Sequence, residues 1–389
     1  MARGFLIAFL LSFGPAVANS FSRFAYALVL PAMRSDLTWS YSQAGALNTV
    51  NAFGYLLGAL LTRVLVARVG NRTLFCAGMI VTSVALFATG LVRDLGWLMV
   101  MRVVAGIGGA SVFICGGALS GNIFPQRPAL ATTTIAIYFA GGGIGLIMCG
   151  VTVPLLLDAQ GDGAWPQAWR WMGYAAVLMT LASAWAALSI LEPGTTAGEA
   201  RWRLKPFAAE FAGYLGFALG YIGYMTFVIA WVRDNGAGTA TVVMLWCVLG
   251  LSTLLAPLVW RTPAERWSGG RPLAAVLATL AAGAWLPLVS TSLPAMLLSA
   301  VLFGGAMFSA PSSVTSFIKK SLPKPAWGSA MATFTAVFAA GQIVGPIATG
   351  WVADRFGSLR PGLSASVVAL VLGALIALAQ RDLREAAGK

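Results

Sequence analysis

The chain has 389 residues, 59% of them hydrophobic and only 10% charged, with a mean hydropathy of +0.83. A soluble globular chain carries roughly 25% charged residues, so this one lacks the means to build an ordinary water-facing surface. Its net charge of +13 does not point to nucleic acid, because Lys and Arg form no dense tract and fall between long apolar blocks.

Blocks of about 20 apolar residues, the length that crosses a bilayer core, recur twelve times. The first, roughly 5 to 32, follows Arg3 and runs past the signal-like Ala16-Val17-Ala18, too long for a signal-peptide core. Five more follow, at about 43 to 62, 73 to 92, 97 to 121, 129 to 156 and 171 to 191. Glu192 to Pro206, with Pro193-Gly194 and then Arg201, Arg203 and Lys205, reads as a linker. The second six occupy about 207 to 232, 241 to 260, 273 to 292, 295 to 318, 328 to 351 and 362 to 380. The expected architecture is an all-α membrane protein of twelve transmembrane helices in two pseudo-symmetric six-helix bundles. The bundles are residues 1–191 and 207–389, joined by a linker at 192–206.

An even number of spans places both termini on one side, and the distribution of Lys and Arg chooses it. Segments on the terminal side carry clusters, among them Arg63, Arg68 and Arg72; Arg261, Arg266 and Arg271; and Lys319, Lys320 and Lys324. The opposite loops carry only Arg34, Arg93, Arg170, Arg233, Arg355 and Arg360. Both termini are expected in the cytoplasm, and the chain in a bacterial inner membrane.

At an offset of 200 residues the fifth span repeats in the eleventh: Thr133/Thr333, Ala136/Ala336, Gly141/Gly341, Gly145/Gly345 and Gly150/Gly350. Gly108-Gly109-Ala110 and Gly304-Gly305-Ala306 extend the relation to the fourth and tenth spans at an offset of 196. Glycine-rich helices recur wherever helices pack closely, but a match between span n and span n+6 is what duplication of a six-helix unit predicts.

In the fourth span, Leu98-Met99-Val100-Met101-Arg102-Val103-Val104-Ala105-Gly106-Ile107-Gly108-Gly109-Ala110 resembles the LxxxRxxxGxGxA signature of the major facilitator superfamily. Leu65, Arg68, Gly70 and Arg72 resemble its cytoplasmic loop motif. Arg63 stands where Gly is usual and Ala67 where Asp is, so Arg68, Gly70 and Arg72 are left as the gating residues that the resemblance implies. Ser22-Arg23-Phe24-Ala25-Tyr26 with Leu30-Pro31 resembles the bacterial YbfB/YjiJ-type branch. Gly341-Gln342-Ile343-Val344-Gly345-Pro346 is similar to the antiporter motif, but sits in span eleven rather than span five. The fold so implied lines a central cavity with spans one, four, seven and ten.

Two cations, Arg23 and Arg102, lie inside apolar spans, and no Asp or Glu lies equally deep; Glu210 sits near the start of span seven. A guanidinium in hydrocarbon is costly and is kept where it faces a cavity or a partner. Its planar fork suits a carboxylate. The expected substrate-binding set is Arg23 and Arg102 with Tyr26, Asn48, Asn51, Tyr138, Tyr221, Tyr224 and Gln342. Tyr214, Tyr221 and Tyr224 are read as one face of span seven. Against this stand structural readings: Arg102 and the tyrosines as packing, the amides as ties between helices.

With no GxxxxGK[ST] motif, transport must draw on a gradient. The expected function is a secondary transporter moving a small organic anion of carboxylate type by alternating access. The alternative is a proton-coupled efflux pump for drugs or other lipophilic small molecules, which would normally want a cavity carboxylate. No catalytic constellation suggests an enzyme. The partners expected are the substrate, the lipid bilayer and a proton as coupling ion, with no nucleic acid and a monomeric state. With no histidine, and with Cys76, Cys115, Cys149 and Cys247 in apolar blocks without a CxxC pair, no metal, disulfide or cofactor is indicated.

Overall fold

A computed structural model describes residues 1–193 and 202–383. Most of the linker, with Arg201, and the terminal Arg384 and Lys389 lie outside the described residues. The described chain forms twelve helices long and apolar enough to cross a membrane. They are α1 Ala2–Leu37, α2 Tyr41–Val69, α3 Asn71–Thr89, α4 Leu95–Gly121, α5 Ala131–Gln160 and α6 Asp162–Leu188. The second six are α7 Lys205–Asp234, α8 Thr239–Arg266, α9 Arg271–Val289, α10 Leu293–Ser321, α11 Lys324–Phe356 and α12 Leu359–Leu378.

Every apolar block in the sequence becomes one helix, but the helices outrun the blocks. Arg34, Arg170, Arg233, Arg355 and Arg360, expected in loops, lie within helices instead, as do Asp36, Asp158 and Asp354. Hydropathy marks only the stretch that must avoid water. Backbone hydrogen bonding continues into the interface until a capping signal stops it. Ser40 supplies one such signal, accepting from Gln43 N while Gln43 caps the Ser40 N–H in return, which starts α2.

Helix α7 is the most buried of the twelve, followed by α1. Around them α2 packs on α4 and α11, α5 on α8, and α7 on α11 and α12. Large side chains such as Val64, Val84, Leu178, Leu181, Leu258 and Leu375 face outward. In a bilayer that exposure carries no cost, since the surrounding solvent is itself apolar.

The repeat between α5 and α11 is one of packing. A Cβ at Gly141 or Gly145 would strike α1 at Ser12 or at Ala16 and Ser20; at Gly341 or Gly345 it would strike α7 at Leu215 and Ala218 or at Leu219 and Ile222. Gly150 fits against Trp246 of α8 and Gly350 against Tyr41 of α2. The relation at offset 196 fails. Gly108 abuts α3 at Gly78 and Thr82, whereas Gly304 abuts α8 at Leu249. Leu298, aligned there with Arg102, is 49% exposed on the outside of its helix. Small residues at helix crossings coincide readily without common position.

Two irregularities shape the interior. Ala16–Phe24 of α1 is wound as a π-helix, its last bond running from Ala25 N to Ser20 O at 2.7 Å. Widened turns of this kind disturb the backbone ladder and concentrate at functional positions. Helix α10 breaks at Phe308 between Leu293–Met307 and Ser309–Ser321. Pro311 cannot donate to Met307 O and its ring crowds that carbonyl, which favours the break.

Candidate functional site

A cavity of about 230 Å³ lies between the two sets of six helices. Its lining runs from Arg23, Phe24 and Phe308 in the middle stretches of α1 and α10 to Ile318 and Met331 near the terminal-side ends of α10 and α11. With Phe24 and Phe308, aromatic residues make up half of the wall: Tyr55 and Phe113 from the first half of the chain, Tyr214, Phe217, Tyr221, Phe334 and Phe338 from the second. Asn19, Thr315 and Thr335 add polar groups, and no Asp or Glu is among the described lining residues.

Arg23 is the one cation among the described lining residues. It is 6% exposed, and its Nε and Nη2 have no hydrogen-bond partner. Its guanidinium carbon stands 5.6 Å from the Tyr55 ring centre, a cation–π contact that offsets part of the burial cost without supplying a counter-charge. The π-helical winding of Ala16–Phe24 carries it, braced where Ser20 Oγ donates to Gly142 O at 2.6 Å.

Of the expected binding residues, the fold brings Arg23 and Tyr221 to this cavity and leaves seven elsewhere. Arg102, 1% exposed, donates from Nη1 to Ser22 O and from Nη2 to Asn48 Oδ1 at 3.2 Å. It stands 5.1 Å from the Tyr26 ring and 5.4 Å from the Trp169 ring. The Asn48 amide in turn donates to Thr226 Oγ1 at 2.7 Å, so the chain of contacts crosses from α1, α4 and α2 to α7. Asn51 donates to Arg102 O at 2.9 Å and Tyr26 to Ala44 O at 2.6 Å. Tyr138 donates to Val112 O at 2.8 Å, and Tyr224 shares a hydrogen bond with Ser299 at 2.9 Å. Apart from Arg102 Nε, which has no partner, these groups satisfy one another and so tie helices together. Gln342 is 1% exposed with neither amide atom partnered, and does not line the cavity.

The three tyrosines of span seven do not share one face. At about 100° per residue, seven residues return within about 20° of the same face, whereas ten miss it by about 80°. Tyr214 and Tyr221 therefore share the cavity, and Tyr224 turns away toward α10. Phe217, on the cavity face between them, carried no polar group to draw notice, and Tyr55, Phe308 and Phe338 were hidden among other apolar residues.

On the side opposite the termini the two halves are joined. Asp354 of α11 caps the start of α2, accepting from Tyr41 N and Ser42 N, each at 2.8 Å, and from Ser42 Oγ at 2.5 Å. Tyr41 donates its hydroxyl to Asp234 at 3.0 Å, and Thr239 of α8 donates to Asp158 of α5 at 2.5 Å. Gly45 lets α2 lie on the backbone of α11, where a Cβ would stand 2.5 Å from Pro346 O.

The three residues expected to gate sit on the terminal side. Gly70 holds a left-handed turn at φ +84°, the conformation that spares glycine a steric cost. Glu192, at the end of α6, accepts from Asn71 N at 2.5 Å, Asn71 Nδ2 at 2.9 Å and Arg72 Nε at 3.3 Å. Burial tends to raise the Glu192 carboxyl, but these donors outweigh it and hold it below its ordinary value. Arg72 is thus paired within its own half, and Arg68 is exposed on the last turn of α2.

Residues 15–378 match the family model described as "Uncharacterised MFS-type transporter YbfB". Among curated proteins, Nitrate transporter 2.1 of Chlamydomonas reinhardtii is 29% identical over 168 residues, which cover 43% of this chain and 30% of that protein. The match thus spans less than a third of the curated relative's length. Among solved structures, a mutant of the nucleoside transporter NupG superposes with a TM-score of 0.76 at 12% identity, covering 96% of this chain and 99% of that one. A bacterial homologue of the human lysosomal transporter Spinster, inward-facing and occupied, gives 0.75 at 17% identity, covering 96% and 95%. The fold is common to the two solved structures, and by the match over residues 15–378 the chain belongs to the YbfB-type family of major facilitator superfamily transporters.

Proposed function

We propose that the chain is a secondary transporter that carries a small organic anion, bound at Arg23, across the membrane by alternating access. The observation that carries this reading is the guanidinium of Arg23, buried on the cavity wall with Nε and Nη2 unpartnered and no carboxylate among the described lining residues. A buried cation without a partner is costly, and a carboxylate arriving at the fork supplies charge and hydrogen bonds together. The 29% identical relative is named for nitrate, itself an anion, which supports the sign of the charge.

The Lys and Arg clusters argue for a cytoplasmic terminal side in a bacterial inner membrane. On that reading the cavity reaches toward the cytoplasm, while the Asp354, Asp234 and Asp158 contacts hold the outer side shut. Anion binding neutralises Arg23 and so lowers the cost of closing the cavity around it. The two bundles, residues 1–191 and 207–389, then rock about the site as a monomer. Arg102 acts in the frame rather than on the substrate, because both its acceptors belong to the protein.

Thermal unfolding of the purified protein against carboxylates, lipophilic cations and neutral drugs tests the reading. A ligand present at about 100 times its Kd stabilises the folded state by about 2.7 kcal/mol. Carboxylates are expected to raise Tm in the wild type and to lose that effect in Arg23→Gln. Stabilisation by cations or neutral compounds alone, unchanged in Arg23→Gln, would transfer the case to the efflux reading.

A further inference from the structure

Resting on the anion reading, we propose that the substrate is a planar aromatic monocarboxylate. The single charge follows from the two intramembrane cations. Arg102 is spent on Ser22 O and Asn48 and lies off the cavity, so Arg23 alone offers a counter-charge among the described lining residues. A second carboxylate would be buried against aromatic rings without a partner.

The planar body follows from the opposite wall. Tyr214, Phe217 and Tyr221 of α7 and Phe338 of α11 all line the cavity with nearly parallel planes. Phe217 lies 10° from Phe338 at 5.5 Å and 19° from Tyr221 at 4.9 Å; Tyr214 lies 20° from Phe338 at 5.2 Å. Phe24, next to Arg23, meets Tyr221 edge-on at 77°. Rings aligned in one direction favour a flat ring laid offset against them, and a puckered ring loses that contact. A small hard anion such as nitrate would give up water for few donors: beside Arg23 the wall offers only Asn19, Thr315, Thr335 and the tyrosine hydroxyls. The volume of about 230 Å³ is below the ~300–1,000 Å³ of sites for drug-sized ligands, which limits the guest to one or two rings.

The test is calorimetric binding of benzoate, cyclohexanecarboxylate, phthalate and nitrate to the purified full chain. Benzoate and cyclohexanecarboxylate share charge and carbon count and differ in planarity. Benzoate is expected to bind about 3- to 10-fold tighter than cyclohexanecarboxylate, the range that ring stacking supplies, and to outbind phthalate and nitrate. Phe338→Leu should erase the preference for benzoate while leaving cyclohexanecarboxylate within about twofold, Tyr221→Leu serving if that variant does not fold. Arg23→Gln should abolish both. Equal affinities for benzoate and cyclohexanecarboxylate, or tighter binding of phthalate or nitrate, overturn the aromatic monoacid and leave the anion reading standing. Absence of binding by all four to cooperatively folded protein overturns the anion reading itself.

Discussion

Replacing Asp354 by alanine removes the carboxylate that fastens α11 to the start of α2. Three donors lose their acceptor: Tyr41 N, Ser42 N and Ser42 Oγ. Hydrogen bonds to a charged group contribute about 1.5–3 kcal/mol when buried, but this one is exposed, so about 0.5–1 kcal/mol each is the fair figure. Together they favour closure of that side by about 1.5–3 kcal/mol, or roughly 10- to 150-fold in the closed-to-open ratio. Spin labels at Val92 and Thr291, exposed on that side in opposite halves, report the ratio by electron–electron distance measurement in a cysteine-free background. Asp354→Ala should shift weight to a longer distance. Gly45→Ala should shift it the same way through a different contact, since its Cβ would wedge against the α11 backbone. If Asp354→Ala leaves the wild-type distribution intact, the latch reasoning is wrong.

Arg102→Ala should cost about 2–5 kcal/mol, because Ser22 O and the Asn48 carbonyl are left buried without a donor; Arg102→Lys should recover little, as one ammonium cannot span both. Thermal unfolding checks this, and a variant with wild-type stability but no anion binding would return Arg102 to the substrate site. Gly145→Ala places a Cβ 2.7 Å from Ser20 Cβ and 2.8 Å from Ala16 Cα, so it should displace the π-helical segment at a cost of about 1–3 kcal/mol and weaken anion binding at Arg23. Unchanged binding would show that the winding does not position the guanidinium. Glu192 has a depressed folded value, so its contribution is full above the ordinary carboxylate value of about 4.3 and is lost as pH falls through the folded value. The gap in Tm between wild type and Glu192→Gln should therefore be constant near neutrality and close below about pH 4. A gap that widens toward acid would reverse the sign assigned to the α3 cap.

The sequence by itself determined the twelve spans, the shared side of the termini, the α5–α11 repeat and the isolation of Arg23 and Arg102 in apolar surroundings. Those features are local. Each segment of about 20 residues meets the bilayer independently, and a charge within it is conspicuous whatever its neighbours are. The tertiary structure alone decided what the two arginines meet. At comparable depth, Arg102 meets a carbonyl at Ser22, eighty residues away, and an amide at Asn48, whereas Arg23 meets aromatic rings and a cavity. The same holds for Tyr221 and Tyr224, three residues apart yet divided by helix rotation between cavity and packing. Transfer energy along the chain reports how deep a group lies, but its role depends on which partners the fold brings within hydrogen-bond reach, and those come from distant segments.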